Sequence, residues 1–164
     1  MPPHALAALA ETGKAVLVSQ NLEKLLIEML EFRKLHQDFD YAKSTNGAVG
    51  AGLYRMALMN GVKRLREQNA IHHSLDVALV KYIDDRHILV HRWALEHGFP
   101  DYENVQAWNK LAAHARSVAA QAVQFFGFFT LNLAEYAMPN VAAQDYPKYQ
   151  ERMLSMFNRE FKAQ

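Results

Sequence analysis

The side chains of this sequence best placed to do chemistry lie in Asp84-Asp85-Arg86-His87-Ile88-Leu89-Val90-His91-Arg92-Trp93. An imidazole titrates near neutral pH and can pass a proton to or from an oxygen. A guanidinium offers a planar fork of donors suited to an anion such as phosphate. Asp84, His87 and His91, spaced three and four apart, could also supply three ligands to a metal, much as paired helical histidines do in zinc sites. The setting is what singles the segment out. Burying a merely polar group without a partner costs roughly 2–7 kcal/mol, so an Arg and two His inside an otherwise apolar helix need a reason.

Projected at about 100° per residue, the segment divides into faces. Leu75, Leu79, Tyr82, Ile83, Leu89, Val90 and Trp93 share a broad apolar face with Arg86 in its middle. Asp84, His87 and His91 gather with Val80 on a second face, and Lys81, Asp85 and Arg92 form a narrow strip that looks ready to meet water. Such a helix belongs at the centre of a bundle or in a subunit interface. On an ideal helix Arg86 and His91 diverge by about 140°. Either the Arg side chain curls toward His91, or each meets a group from a second copy across a two-fold axis, which would make the site dimeric.

The elements that must position these residues read as helices throughout, with none of the β-branched alternation of strands. The first runs from about Ala5 to Leu35, with Leu22, Leu25, Leu26, Met29, Leu30 and Phe32 at three-and-four spacing. Asp38 to Gly52 contains Ser44-Thr45-Asn46-Gly47 and two further glycines and reads as a loop or broken turn. A second helix takes Leu53 to about Gln68, with Gly61 weakening its middle and Lys63, Arg64 and Arg66 outward. The third, about His72 to Glu96, carries the segment above and stops near Gly98-Phe99-Pro100. Asp101 or the residues just after it cap a long fourth helix ending near Ala137, whose Phe125–Phe129 cluster reads as core. A last amphipathic helix is expected over about Pro147 to Phe161, with Met153, Leu154, Phe157 and Phe161 on one side. The expected architecture is a single all-α domain, 1–164, an up-and-down helical bundle of about five helices.

Composition narrows the function classes. There is no cysteine, which excludes disulfides, thiolate zinc sites and a Cys nucleophile. With 18 Lys and Arg against 17 Asp and Glu, no global field draws the chain to nucleic acid or membrane, so any polyanion site is local. The run from Ala119 to Met138 carries Gln121, Gln124, Asn132 and Glu135, which argues for a buried helix and against a membrane span. With no signal-peptide pattern at the N-terminus, a soluble, cytoplasmic protein is expected.

Arg86-His87-Ile88-Leu89-Val90-His91 resembles the signature of the HEPN superfamily, all-α domains with Arg, a polar residue, a few variable positions and then His. The helical order resembles that family too, over most of the chain. The resemblance implies a metal-independent endoribonuclease, needing no cofactor, in which two copies of the motif line one cleft of a homodimer. His91 would then move a proton on or off the ribose 2′-hydroxyl or the leaving oxygen, Arg86 would hold the phosphate, and His87 or Asp84 would orient them. The implied partners are RNA and, for a member of toxin–antitoxin type, an antitoxin-like protein. Arg55, Lys63, Arg64 and Arg66 could line the cleft. Arg92-Trp93-Ala94-Leu95-Glu96-His97 repeats the spacing, but with Trp in the polar slot at a helix end, and is set aside.

Other readings stand beside this one. The fold could serve as a non-catalytic RNA-binding or protein-interaction module. The Asp84, His87 and His91 face could bind a metal. Arg86 could be a buried Arg neutralised by Asp84, Asp85 or a Glu of another helix, with His87 and His91 as hydrogen-bonded core or interface imidazoles. His72, His73 and His114 read as surface or helix-end residues.

Overall fold

The computed structural model describes residues 1–45, 58–67 and 73–137, and these form an all-α helical bundle. Its frame is a pair of long helices, α1 (Pro3–Gln37) and α6 (Val105–Ala137). Along α1 the inward positions are Ala5, Ala8, Thr12, Ala15, Ser19, Leu22, Leu26 and Met29; along α6 they are Trp108, Leu111, Ala115, Val118, Ala122, Phe125 and Phe129. Both series alternate steps of three and four, the repeat that keeps one seam of a helix facing a neighbour. Alanines dominate the first half of α1 and recur at Ala115 and Ala122 of α6, so the backbones approach closely there, and Leu and Phe take over further along. The two helices run parallel: His4 Nε2 donates to the Tyr102 carbonyl at 2.7 Å, and Arg116 reaches Glu11 at 3.9 Å.

Pro3 opens α1, where its missing N–H costs nothing. Asp38 ends α1 in an extended conformation and its carboxylate accepts the Tyr41 N–H at 2.9 Å, so one residue stops one helix and caps the next, α2 (Phe39–Thr45). The start of the expected loop is therefore a short helix, and 46–52 lies outside the described residues. Helix α3 (Leu58–Glu67) buries Leu58, Gly61, Val62 and Leu65. The expected residues 53–57 and 68 of that helix lie outside the described residues, as does the whole C-terminal helix expected over 147–161.

The third expected helix is continuous from His73 to His97 but not uniform. It comprises α4 (His73–His87), a π-helical turn over Ile88–Arg92 and α5 (Trp93–His97), ended by Gly98 at φ 72°. It runs antiparallel to α6, since Tyr82 packs on Phe125, Asp85 meets Gln121, and Trp93 packs on His114. The connection back folds over Trp108, whose indole N–H donates to the Asp101 carbonyl at 2.9 Å while Phe99 and Tyr102 pack on its ring. Asn104 is the cap of α6, its side chain accepting the Ala107 N–H at 3.0 Å. Phe125 and Phe129 are core and Phe126 packs against them, whereas Phe128 is exposed. Among the described residues no helix is long and apolar enough to cross a membrane.

Ala115 and Leu22 test the seam from opposite directions. Ala115→Leu should destabilise the fold by about 1–3 kcal/mol through overpacking, and Leu22→Ala by about 2–5 kcal/mol through a cavity. Urea unfolding followed by circular dichroism checks both; an Ala115→Leu chain as stable as the parent would mean the helices are not in close contact there.

Candidate functional site

Tyr82 and Arg86, one turn apart on α4, face Ser19 and Glu23, one turn apart on α1. Tyr82, fully buried, donates its hydroxyl to Ser19 Oγ at 2.8 Å. Burial pushes the Tyr82 phenol above its usual range, against the Ser19 hydrogen bond and the nearby Arg86 charge, which lower it. Arg86 Nη2 meets Glu23 Oε1 at 2.8 Å, with both side chains largely shielded. The direction of the reach is that of any helical side chain, which leans toward the start of its own helix. In the antiparallel α4 that lean carries Arg86 along α1 to Glu23. Arg86 thus occupies the middle of the inward face, as its position predicts, with an acidic partner from another helix. Its Nε is buried and finds no acceptor among the described residues.

The second expected face behaves differently. Asp84, His87 and His91 are exposed, while Val80 beside them is half-buried. The helix is therefore buried toward α1 and α6 only, and its histidine face meets solvent. The rings of His87 and His91 lie 5.0 Å apart at 50°. Among the described residues no three His, Asp or Glu side chains converge in a way that could hold a metal ion, so Asp84, His87 and His91 do not form the three-ligand set their spacing allows.

The strip expected to meet water is also only partly solvated. Lys81 and Arg92 are exposed and pair along the helix, Lys81 with Asp85 at 2.6 Å and Arg92 with Glu96 at 2.6 Å. Asp85 instead turns into the seam with α6. Its carboxylate accepts from Gln121 at 3.3 Å as well as from Lys81, and its main-chain carbonyl accepts from His114 Nε2 at 2.9 Å. His114 is consequently neither a surface nor a helix-end residue: it is half-buried in the body of α6, against Trp93 at 5.3 Å. The Trp93 ring also carries His97, stacked at 4.3 Å and 18°. That contact and the Arg92–Glu96 pair account for the second Arg–His spacing, Arg92 to His97, in structural terms.

The π turn changes the geometry of the motif most. An i→i+5 hydrogen-bond pattern adds one residue to the turn, so residues five apart stand in the relation that four-apart residues have in an α-helix, offset by about 40° rather than 140°. The angle between Arg86 and His91 narrows accordingly, although Arg86 faces Glu23 in the interior and His91 stays on the exposed face beside His87. Nothing in the hydrophobic spacing betrays this, because Leu79, Tyr82, Arg86, Leu89 and Trp93 keep their three-and-four steps across the turn. Glu23 escaped sequence reasoning as well; its only signal is that Ser19 and Glu23 form a polar i, i+4 pair on the inner half of an apolar helix. Arg66 of α3 turns to another partner within the chain. Arg66 is bound to Asp76 at 2.7 Å, ten residues before Arg86 on α4, roughly 15 Å along the axis.

Burial alone would raise the Asp85 carboxyl, but hydrogen bonds from Lys81 and Gln121 and the charges of Lys81 and His114 together outweigh it and hold the group below its usual value. A carboxylate with a depressed folded-state pKa stabilises the fold above its unfolded value of about 3.9, and that contribution disappears as pH falls through the lower folded value. The parent should therefore lose stability more steeply below about pH 4 than Asp85→Asn, with parallel profiles from pH 5 to 7; equal acid slopes in urea titrations would show that Asp85 contributes nothing. Comparison with protein-family models, curated proteins and solved structures finds no match to this chain.

Proposed function

We propose that the chain is an RNA-associated helical protein of HEPN type in which Arg86 and His91 cleave RNA without a metal, at a cleft completed by a second copy. The observation that carries this reading is the π turn at Ile88–Arg92, which overlaps the motif and narrows the divergence that an ideal helix would impose on Arg86 and His91. Such turns are rare and frequently lie at functional sites. The exposure of His87 and His91 further supports it, since a proton-transfer group must reach its substrate.

The chemistry follows from the residue types. A neutral His91 takes the proton of a ribose 2′-hydroxyl as that oxygen attacks the adjacent phosphorus. The bond from phosphorus to the 5′-oxygen breaks, and the leaving oxygen takes a proton from the imidazolium of the second copy. The products are a 2′,3′-cyclic phosphate and a free 5′-hydroxyl, with no net proton change. Arg86 holds the phosphate and offsets its developing charge. Glu23 occupies one amino group of the fork, fixing its direction and leaving the other amino group for the anion. His87, beside His91, and Asp84, one turn away, orient the imidazole. An antitoxin-type protein partner would cover the same exposed histidine face.

A second reading has its own support. The Glu23–Arg86 pair is also what a purely structural Arg would make, on a bundle that binds RNA or protein without cutting. The two readings separate by activity. In EDTA, the parent should cut single-stranded RNA to cyclic-phosphate ends and leave DNA of the same sequence intact. Arg86→Ala and His91→Ala should each lower the rate by about 10²–10⁴-fold while keeping the helical circular dichroism and the size of the parent. Unchanged cleavage in either folded variant overturns the assignment, and RNA binding without cleavage in the parent favours the non-catalytic module.

A further inference from the structure

We infer that His114 is a positioning residue for the Arg86–His91 pair, acting through the π turn; as a statement about cleavage this rests on the reading above. His114 projects from α6 and touches the chain on both sides of that turn. Before it, Nε2 bonds the Asp85 carbonyl at 2.9 Å. A carbonyl can only accept, so Nε2 carries a proton there. After the turn, the same ring packs on Trp93, which also stacks with His97. The Asp85 carboxylate adds a second tie to α6 through Gln121. One imidazole therefore fixes the chain before and after the inserted residue.

A π turn is held in place only if its surroundings favour it, since isolated helical sequence prefers the α form. Relaxing Ile88–Arg92 to α geometry would rotate everything beyond by about one residue, roughly 100°. Trp93 would then leave His114, carrying His97 with it, and the angle between His91 and Arg86 would widen. The carbonyl bond and the ring contact of His114 oppose that rotation together. Among the described residues His114 bonds Asp85 and packs on Trp93 rather than on Arg86 or His91, so its influence on them runs through the backbone.

Three substitutions separate its parts: His114→Phe keeps the packing without the donor, His114→Gln keeps a donor, and His114→Ala removes both. Two readouts are needed, the hydrogen-bond register over 88–93, read from through-hydrogen-bond couplings between each amide and the carbonyl five rather than four residues back, and cleavage of single-stranded RNA in EDTA. In His114→Ala and His114→Phe the register should shift from five to four, and kcat should fall about 10- to 100-fold with KM little changed; His114→Gln should recover most of each. A register unchanged in His114→Ala and His114→Phe overturns the inference. Should the Ala chain fail to fold, the Phe and Gln chains decide it alone. If the parent cuts no RNA yet the register follows the donor, His114 does hold the turn and it is the cleavage reading that falls.

Discussion

The close approach of α1 and α6 is the constraint on which the remaining structure depends. Alanines at Ala5, Ala8 and Ala15 on one helix and at Ala112, Ala115, Ala119 and Ala122 on the other leave room for two backbones to lie side by side over many turns. Each alanine buries little area, and at about 25 cal/mol per Å² the seam is a weaker apolar source than a leucine one. What it provides is proximity. Two parallel helices this close leave a groove along their length, and α4 lies in it, with Tyr82 and Arg86 reaching α1 while Asp85 and Trp93 reach α6.

That placement explains why the polar groups of α4 point where they do. A helix in a groove has two buried flanks and one exposed crest. Leu79, Tyr82 and Leu89 fill the groove, Arg86 and Asp85 satisfy their charges on its opposite walls, and Asp84, His87 and His91 stand on the crest. Apolar packing fixes the depth of α4, and the polar ties on both walls fix its rotation. The π turn sits between these ties, after Asp85 and before Trp93, where the chain on either side is held and the extra residue cannot be expelled without breaking a contact.

Much of this was legible in the sequence for simple reasons. Long three-and-four patterns in α1 and α6, Gly98 after α5 and the absence of strand alternation mark the helical class, the two long helices and the end of α5, because each is a local property of the chain. Asp38 shows where local reading failed: its role as a stop and a cap depends on a hydrogen bond three residues on, and the following glycines disguised a short helix as loop. Asp85, His114 and Glu23 were misplaced or missed for a different reason. A helical projection assigns faces to one helix at a time, whereas the partners of these residues come from other helices, across sequence separations that no periodicity encodes. Arg86 was placed correctly because its own helix, by its apolar neighbours, already determined its depth. The π turn left no trace, since the buried positions on both sides keep their ordinary spacing.

The Glu23–Arg86 contact shows how stability and placement divide between kinds of interaction here. Two opposite charges at about 4 Å attract by roughly 4 kcal/mol at the effective dielectric of a protein's outer layers, and removing each from water costs several kcal/mol. The sum is close to zero, so the pair adds little to the folded state even though losing one partner would strand the other. Leucine in place of Arg86 would fill the groove as well or better. An arginine there therefore owes nothing to packing, and the Ser19–Tyr82 bond one turn away shows that this stretch of α1 faces α4 with hydrogen-bonding groups rather than a dry seam. The consequence is directional: the apolar groove sets how deep α4 lies, Glu23 aims the guanidinium, and the widened turn narrows the angle between Arg86 and the exposed His91.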